Sequence, residues 1–107
     1  MRGLPAVATL AWASTMPAHA AQWVGPYAVA TVEVSAAGLY FGRPGGFPNP
    51  DGCPAPPFIH VEGDANLINR TLSVALTGKA MGKQIRLYIS GCSSQGYIRG
   101  HAIEIQE

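Results

Sequence analysis

The chain has 107 residues, seven of them basic and six acidic, so its formal net charge is only +1. No two basic residues are adjacent, which argues against non-specific nucleic-acid binding, because such binding needs a concentrated basic face. A chain of this length suits one small domain with a limited core.

The first twenty residues have the pattern of a secretory signal peptide. Arg2 precedes a mostly apolar stretch over residues 4–12, and Ala18 and Ala20 place small side chains at the −3 and −1 positions of a signal-peptidase site. We expect cleavage after Ala20, which leaves residues 21–107 as a single domain in the periplasm or outside the cell. The alternative is a buried N-terminal helix. Residues 21–107 contain no apolar run of about 18 residues, so we expect no membrane span.

The first two predicted elements are strands that form a hairpin. In residues 23–34, Val32 and Val34 alternate with Thr31 and Glu33, which is the period of a strand. Residues 35–38 have the composition of a turn, and residues 39–41 begin a second strand that Gly42 closes.

A proline- and glycine-rich loop follows over residues 43–57 and contains Cys53. The only other cysteine is Cys92, and an even cysteine count in an exported chain predicts a disulfide. Two free thiols are the alternative. A zinc site is disfavoured because the sequence has no CxxC, and His60 and His101 are isolated.

The period then changes from strand to helix. Residues 58–61 form a short third strand, and Asp64 is a suitable N-cap for a helix that ends near Met81, with Gly82 as its C-terminal signal. The apolar positions at helical spacing are Ile68, Leu72, Ala75, Leu76 and Ala80. Residues 85–90 and 97–106 alternate as the fourth and fifth strands.

This element order predicts a mostly β, α+β fold with one helix between strands 3 and 4. Three strands, a helix and two strands is the order of a small OB-like five-stranded barrel. A curved open sheet with the helix on one face has the same order and remains the alternative.

Residues 65–91 resemble a helix-then-strand segment of the B subunits of pertussis-like and subtilase-like pentameric toxins. The matching positions include Gly82, Lys83, Arg86 and Tyr88, and residues 23–25 supply a W-x-G near the start of the predicted domain. That resemblance implies an OB-type barrel with a binding role. The segment over residues 82–92 is more similar to small exported bacterial proteins of unknown function that carry a GKxxRxYxxGC sequence, and this likeness implies no activity.

The sequence predicts neither an enzyme nor a cofactor or metal site. Ser93 and Ser94 lie outside any GxSxG context, and the glycine-rich loop lacks the GK[ST] ending of a phosphate loop. His101 and Glu104 are three apart in a predicted strand and would point to opposite faces.

Binding is therefore the predicted function, with a glycan or a protein surface as the ligand. Tyr and Arg on the polar side of the fourth strand, together with the second strand and the following loop, offer flat rings and planar donors. The candidate binding residues are Tyr40, Arg43, Phe47, Arg86 and Tyr88. The alternative is a periplasmic or envelope structural protein that acts through a protein partner. A monomer is favoured, with a pentamer as the alternative.

Overall fold

The computed structural model describes residues 21–107, so the predicted signal peptide, residues 1–20, lies outside the described residues. The described part is a mostly β structure with six strands and one long helix. The elements in chain order are β1 Gln22–Ala28, β2 Thr31–Ser35, β3 Gly38–Gly42, β4 Ile59–Val61, α1 Ala65–Ala80, β5 Gln84–Cys92 and β6 Ile98–Gln106.

The six strands form one mixed sheet in the order β1-β5-β6-β4-β3-β2. Neighbouring strands are antiparallel except β4 and β6, which are parallel. Parallel neighbours need a long connection, and α1 and β5 supply it. The two edge strands, β1 and β2, are joined by only Val29 and Ala30. That connection spans about 10 Å at most, whereas the edges of a flat six-stranded sheet lie about 24 Å apart. The sheet is therefore strongly curved, although β1 and β2 are not paired with each other and no closed barrel forms.

The prediction of five strands is wrong because the first predicted strand is two strands. Its first half pairs with β5 and its second half with β3, and the change of partner occurs at Val29 and Ala30. Neither residue is a glycine or a proline, so local composition does not signal the break. As a result, the helix lies between the fourth and fifth strands and not between the third and fourth.

The hairpin prediction is confirmed by β2 and β3. Ser35 pairs with Gly38 across a two-residue turn, and the Ser35 hydroxyl accepts a hydrogen bond from the Ala37 amide at 3.1 Å. Gly38 has a φ of +129°, and a Cβ there would lie 2.3 Å from the Val61 carbonyl oxygen, so only glycine fits beside β4.

The core lies on the inner face of the curved sheet, under α1. Alternate residues of the strands point inwards and are almost fully buried: Leu39, Phe41, Ile59, Val61, Ile85, Leu87 and Ile89. The helix packs against β3, β5 and β6 through Thr71, Ala75 and Gly78. Leu76, which was expected on the packed face, is 51% exposed.

Both ends of α1 confirm the predicted helix. The Asp64 carboxylate accepts a hydrogen bond from the Asn66 amide at 3.1 Å, as an N-cap does. At the other end, the amides of Gly82 and Lys83 donate to the carbonyls of Lys79 and Gly78, with Gly82 at a φ of +67°. This is the Schellman arrangement that positive-φ glycine permits.

The predicted disulfide between Cys53 and Cys92 is present, with a Cα–Cα distance of 5.6 Å and a sequence separation of 39. It joins the loop of residues 43–57 to the end of β5. The same attachment is reinforced by Asp51, whose carboxylate accepts a hydrogen bond from the Gly91 amide at 2.9 Å. Asn49 bonds the backbone of Cys53 through both its amide oxygen and its amide nitrogen. The loop is therefore fixed at several points.

Within residues 21–107, no helix is both long enough and apolar enough to cross a membrane.

Candidate binding surface

The five predicted binding residues lie in three different places. Tyr40 is on the outer face of β3, Arg43 and Phe47 are at the start of the loop against β1, and Arg86 and Tyr88 are on the outer face of β5. The five residues therefore do not form a single cluster.

Arg86 and Tyr88 point away from the core, as predicted, and contact Trp23 of β1. The Trp23 and Tyr88 rings meet edge to face at 5.3 Å, and the Arg86 guanidinium lies 5.0 Å from the centre of the Trp23 ring. We call Trp23, Arg86 and Tyr88 the Trp23 patch. The Nε and NH2 groups of Arg86 both donate to one carboxylate oxygen of Glu104, so two of the five guanidinium N–H groups are already engaged.

Arg43 and Phe47 hold the loop against β1. The Arg43 guanidinium lies 4.1 Å from the centre of the Tyr27 ring and donates to the Gly46 carbonyl at 2.7 Å. Phe47 meets the Tyr27 ring edge to face at 5.3 Å and is only 8% exposed. Phe47 therefore offers a ligand little surface, because Tyr27 and Arg43 cover its ring.

Tyr40 belongs to a cluster of four rings on the outer face of β3, β4 and the start of β6, which we call the Tyr40 patch: Tyr40, Phe58, His60 and Tyr97. Tyr40 and His60 face each other across the β3–β4 pair, and their rings are stacked at 4.3 Å with an interplanar angle of 6°. Tyr97 meets both rings edge to face, at 5.3 and 5.9 Å, and lies 6.3 Å from the Phe58 ring. Phe58 is 40% exposed, so it supplies the open part of the patch.

His60 forms the buried base of the Tyr40 patch. Its side chain is fully buried, and Nε2 lies 2.7 Å from the Ala37 carbonyl oxygen. Because a carbonyl can only accept, Nε2 donates in this contact. Nδ1 is buried with no hydrogen-bond partner among the described residues. His60 thus ties β4 to the hairpin turn and places a flat ring under Tyr40.

The loop between β5 and β6 closes one side of the Tyr40 patch. The Tyr40 hydroxyl donates to the Gln95 side chain at 2.8 Å. Next to it, the Ser94 hydroxyl and amide both donate to the Glu62 carboxylate, at 2.5 and 2.9 Å. The hydrogen bond from the Ser94 hydroxyl contributes most to holding the pKa of Glu62 below its usual value of 4.5. The hydrogen bond from the Ser94 amide and the positive charge of Arg99 act in the same direction.

An open depression adjoins the exposed side of the Tyr40 patch. It is lined by Thr31, Glu33, Tyr40, Phe41, Gly42 and Phe58, and its volume is about 200 Å³ including the open mouth. Strand pairing explains this lining, since Thr31 lies opposite Gly42 and Glu33 lies opposite Tyr40.

Gly42 is the residue that keeps the depression open. A Cβ at this position would lie 3.4 Å from two Phe58 ring carbons and 3.5 Å from the Thr31 Cβ. Any larger side chain would extend into the space between Phe58 and Thr31. Its φ lies outside the left-handed region, so the space and not the backbone angle distinguishes this glycine.

Sequence patterns identified Tyr40 but not the arrangement around it. Glu33, Tyr40 and His60 lie on three different strands, and only the cross-strand register brings them together on one face. In the sequence, Phe58 and Tyr97 each begin a predicted strand, and His60 is an isolated histidine. No local signal distinguishes them from core residues.

Among residues 21–107, no group of three or more His, Cys, Asp or Glu side chains is placed to hold a metal ion. Compared with family models, with curated proteins and with solved structures, the chain has no significant match.

Proposed function

We propose that residues 21–107 form a non-catalytic binding module of an exported protein, and that the module recognises a saccharide at the depression beside Tyr40 and Phe58. The observation that carries this proposal is the pairing of an exposed Phe58 ring with the Glu33 carboxylate in one open depression. One face of a sugar ring is apolar and packs on an aromatic ring, while its hydroxyls need acceptors and donors.

The depression is open and shallow, so it can contact one face of a sugar ring without enclosing the ring. An open, shallow site of this kind leaves the remainder of a longer glycan in solvent. Thr31 and Glu33 provide a hydroxyl and a carboxylate at the rim.

The fold that presents this site is, in our proposal, OB-like: a curved open sheet in which β1 and β2 correspond to one interrupted strand of an OB fold. Support comes from the order of the sheet, in which β1 and β2 form the two edges and are joined by two residues. Counting β1 and β2 as one interrupted strand restores the helix to the position between the third and fourth strands. The disulfide supports an oxidising compartment, as expected for a periplasmic or secreted protein.

A glycan array tests the saccharide proposal. The wild-type protein should bind a defined subset of glycans, and Phe58→Ala should lose that binding while remaining folded. Leu76→Ala is the matched control, because Leu76 is also an exposed apolar side chain but lies on α1. A blank array with folded wild-type protein, or equal binding by wild type and Phe58→Ala, would contradict the proposal.

The second candidate function is interaction with a protein partner through the Trp23 patch. Trp23 is 39% exposed beside Tyr88 and Arg86, and Trp, Tyr and Arg are the residue types that dominate protein-interface energies. This candidate corresponds to an envelope protein that acts through a partner. Retention of such a partner by wild type and Phe58→Ala, but not by Trp23→Ala, would favour it.

We further propose that the protein is a monomer. Support comes from the wide distribution of the exposed large apolar side chains over β1, β2, the residue before β4, α1 and the end of α1: Trp23, Val34, Phe58, Leu76 and Met81. Analytical ultracentrifugation tests this: a single species of monomer mass is expected, and a pentamer would contradict it.

A further inference from the structure

The depression beside the Tyr40 patch carries one negative charge. Among residues 21–107, Glu33 is the only charged residue in its lining. The basic side chains nearest in sequence and register are occupied elsewhere: Arg43 lies on Tyr27 and bonds Gly46, and Arg99 faces Glu62 at 3.9 Å. A ligand in this depression therefore meets a carboxylate with no neighbouring cation in the lining.

The Glu33 carboxylate also has no ion-pair partner within residues 21–107, and its residue is exposed at the edge strand β2. Tyr40 lies opposite Glu33 across the β2–β3 pair, and Phe58 also lines the depression. The faces of aromatic rings attract cations as a carboxylate does. The carboxylate and the two aromatic rings are three chemical groups at one site that each attract a cation.

We propose that the depression binds the protonated amino group of an amino sugar, with the ammonium between Glu33 and the faces of Tyr40 and Phe58. This inference rests on the saccharide-binding function proposed above and specifies its ligand class. The sugar ring packs on Phe58, and the ammonium replaces the missing partner of Glu33. An acidic sugar places its carboxylate against Glu33 and is repelled. An N-acetylated sugar has lost the positive charge and therefore cannot form an ion pair with Glu33.

The test is a calorimetric titration of the purified protein at low ionic strength and pH 6, where an aliphatic amine is protonated. The ligands are glucosamine, N-acetylglucosamine, glucose and glucuronate, which differ in charge on a common ring. Glucosamine should bind about fivefold more tightly than glucose, as expected from one exposed ion pair and one cation–π contact. N-acetylglucosamine should match glucose, and glucuronate should bind more weakly than either. Added salt should reduce the preference for glucosamine.

Glu33→Gln should reduce the preference for glucosamine over glucose, because it removes the ion pair and leaves only the cation–π contact. Glu107→Gln is the matched control, because it removes the same charge from an exposed residue that pairs with Lys83. Equal affinities for glucosamine and glucose in wild type, or an unchanged preference in Glu33→Gln, would overturn the amino-sugar inference and leave saccharide binding standing. If a folded protein binds none of the four sugars, saccharide binding itself is contradicted.

Lysine methyl ester tests whether positive charge alone, without a sugar ring, is enough for binding. It carries positive charge without a pyranose, so it should bind more weakly than glucosamine. Binding as tight as that of glucosamine would overturn the inference, since the sugar ring would then contribute nothing.

Discussion

The ring of Tyr40 lies parallel to the ring of His60, at 4.3 Å and an angle of 6°, across the pairing of β3 with β4. His60 is fully buried beneath this contact and is held by its bond to the Ala37 carbonyl. Because His60 cannot move without breaking that bond, the orientation of Tyr40 is fixed before a ligand arrives. A rigid ring loses little conformational entropy on binding.

His60 should therefore contribute to stability as well as to the site. We expect His60→Ala to lower the free energy of unfolding by about 3 kcal/mol, because it leaves a cavity and removes the bond to Ala37. His60→Phe should cost less, since it keeps a ring under Tyr40 and removes the unpaired Nδ1. Urea denaturation measures both. A change below about 0.5 kcal/mol in His60→Ala would show that the stacked pair is not a structural support.

Gly42→Val should block the depression without removing any of its binding groups. The valine side chain would occupy the space between Phe58 and Thr31, so we expect at least a tenfold loss of saccharide affinity. Stability should change by no more than about 1 kcal/mol, because a β-branched residue suits a strand. Ser90→Val is the control at an outward position of β5. Saccharide binding that survives in Gly42→Val would mean that the ligand does not enter the depression.

Glu62 should make the stability of the protein depend on acid pH. Its pKa is lowered in the folded state, chiefly by the Ser94 hydroxyl. The stabilisation is therefore fully present above the unfolded pKa near 4.5 and is lost as the pH falls through the lower folded value. Glu62→Gln should reduce the loss of stability between pH 6 and pH 3, measured by urea denaturation. An identical pH dependence in Glu62→Gln and wild type would contradict this assignment.

Reduction of the disulfide should increase the mobility of the loop of residues 43–57 and lower the free energy of unfolding of the domain. Native mass spectrometry without reductant should show about 2 Da less than the mass of the dithiol form, as one S–S bond requires. The chain-entropy estimate for a loop of this length predicts a loss of about 4 kcal/mol on reduction. Hydrogen exchange should rise first at Gly91 and in the loop, where Asp51 and Cys53 are attached. Two freely alkylated cysteines in exported protein would contradict the account.

Local patterns in the sequence were sufficient to predict α1, the β2–β3 hairpin and the disulfide. Each depends on neighbours in the chain or on a simple count: Asp64 and Gly82 mark the helix ends, and only two cysteines are available to pair. The break at Val29 was not predictable, because it arises where one extended segment changes partner from β5 to β3.

The candidate site was only partly predictable for the same reason. Tyr40 was identified as a residue, whereas its contact with His60 depends on the register of two strands separated by the loop of residues 43–57. Phe47 is a candidate binding residue in the sequence, but in the structure it is buried, with its ring against Tyr27. A proline- and glycine-rich loop has no periodicity from which burial can be inferred.

The most direct test of saccharide binding in the depression beside Tyr40 and Phe58 is a two-dimensional amide NMR titration. The isotope-labelled protein is titrated with glucosamine and, separately, with glucose. We expect larger perturbations for glucosamine than for glucose at equal concentration, clustered at the amides of the residues that line the depression: Thr31, Glu33, Tyr40, Gly42 and Phe58. Perturbations confined to Trp23, Arg86 and Tyr88, or no perturbation in a well-dispersed spectrum, would contradict it.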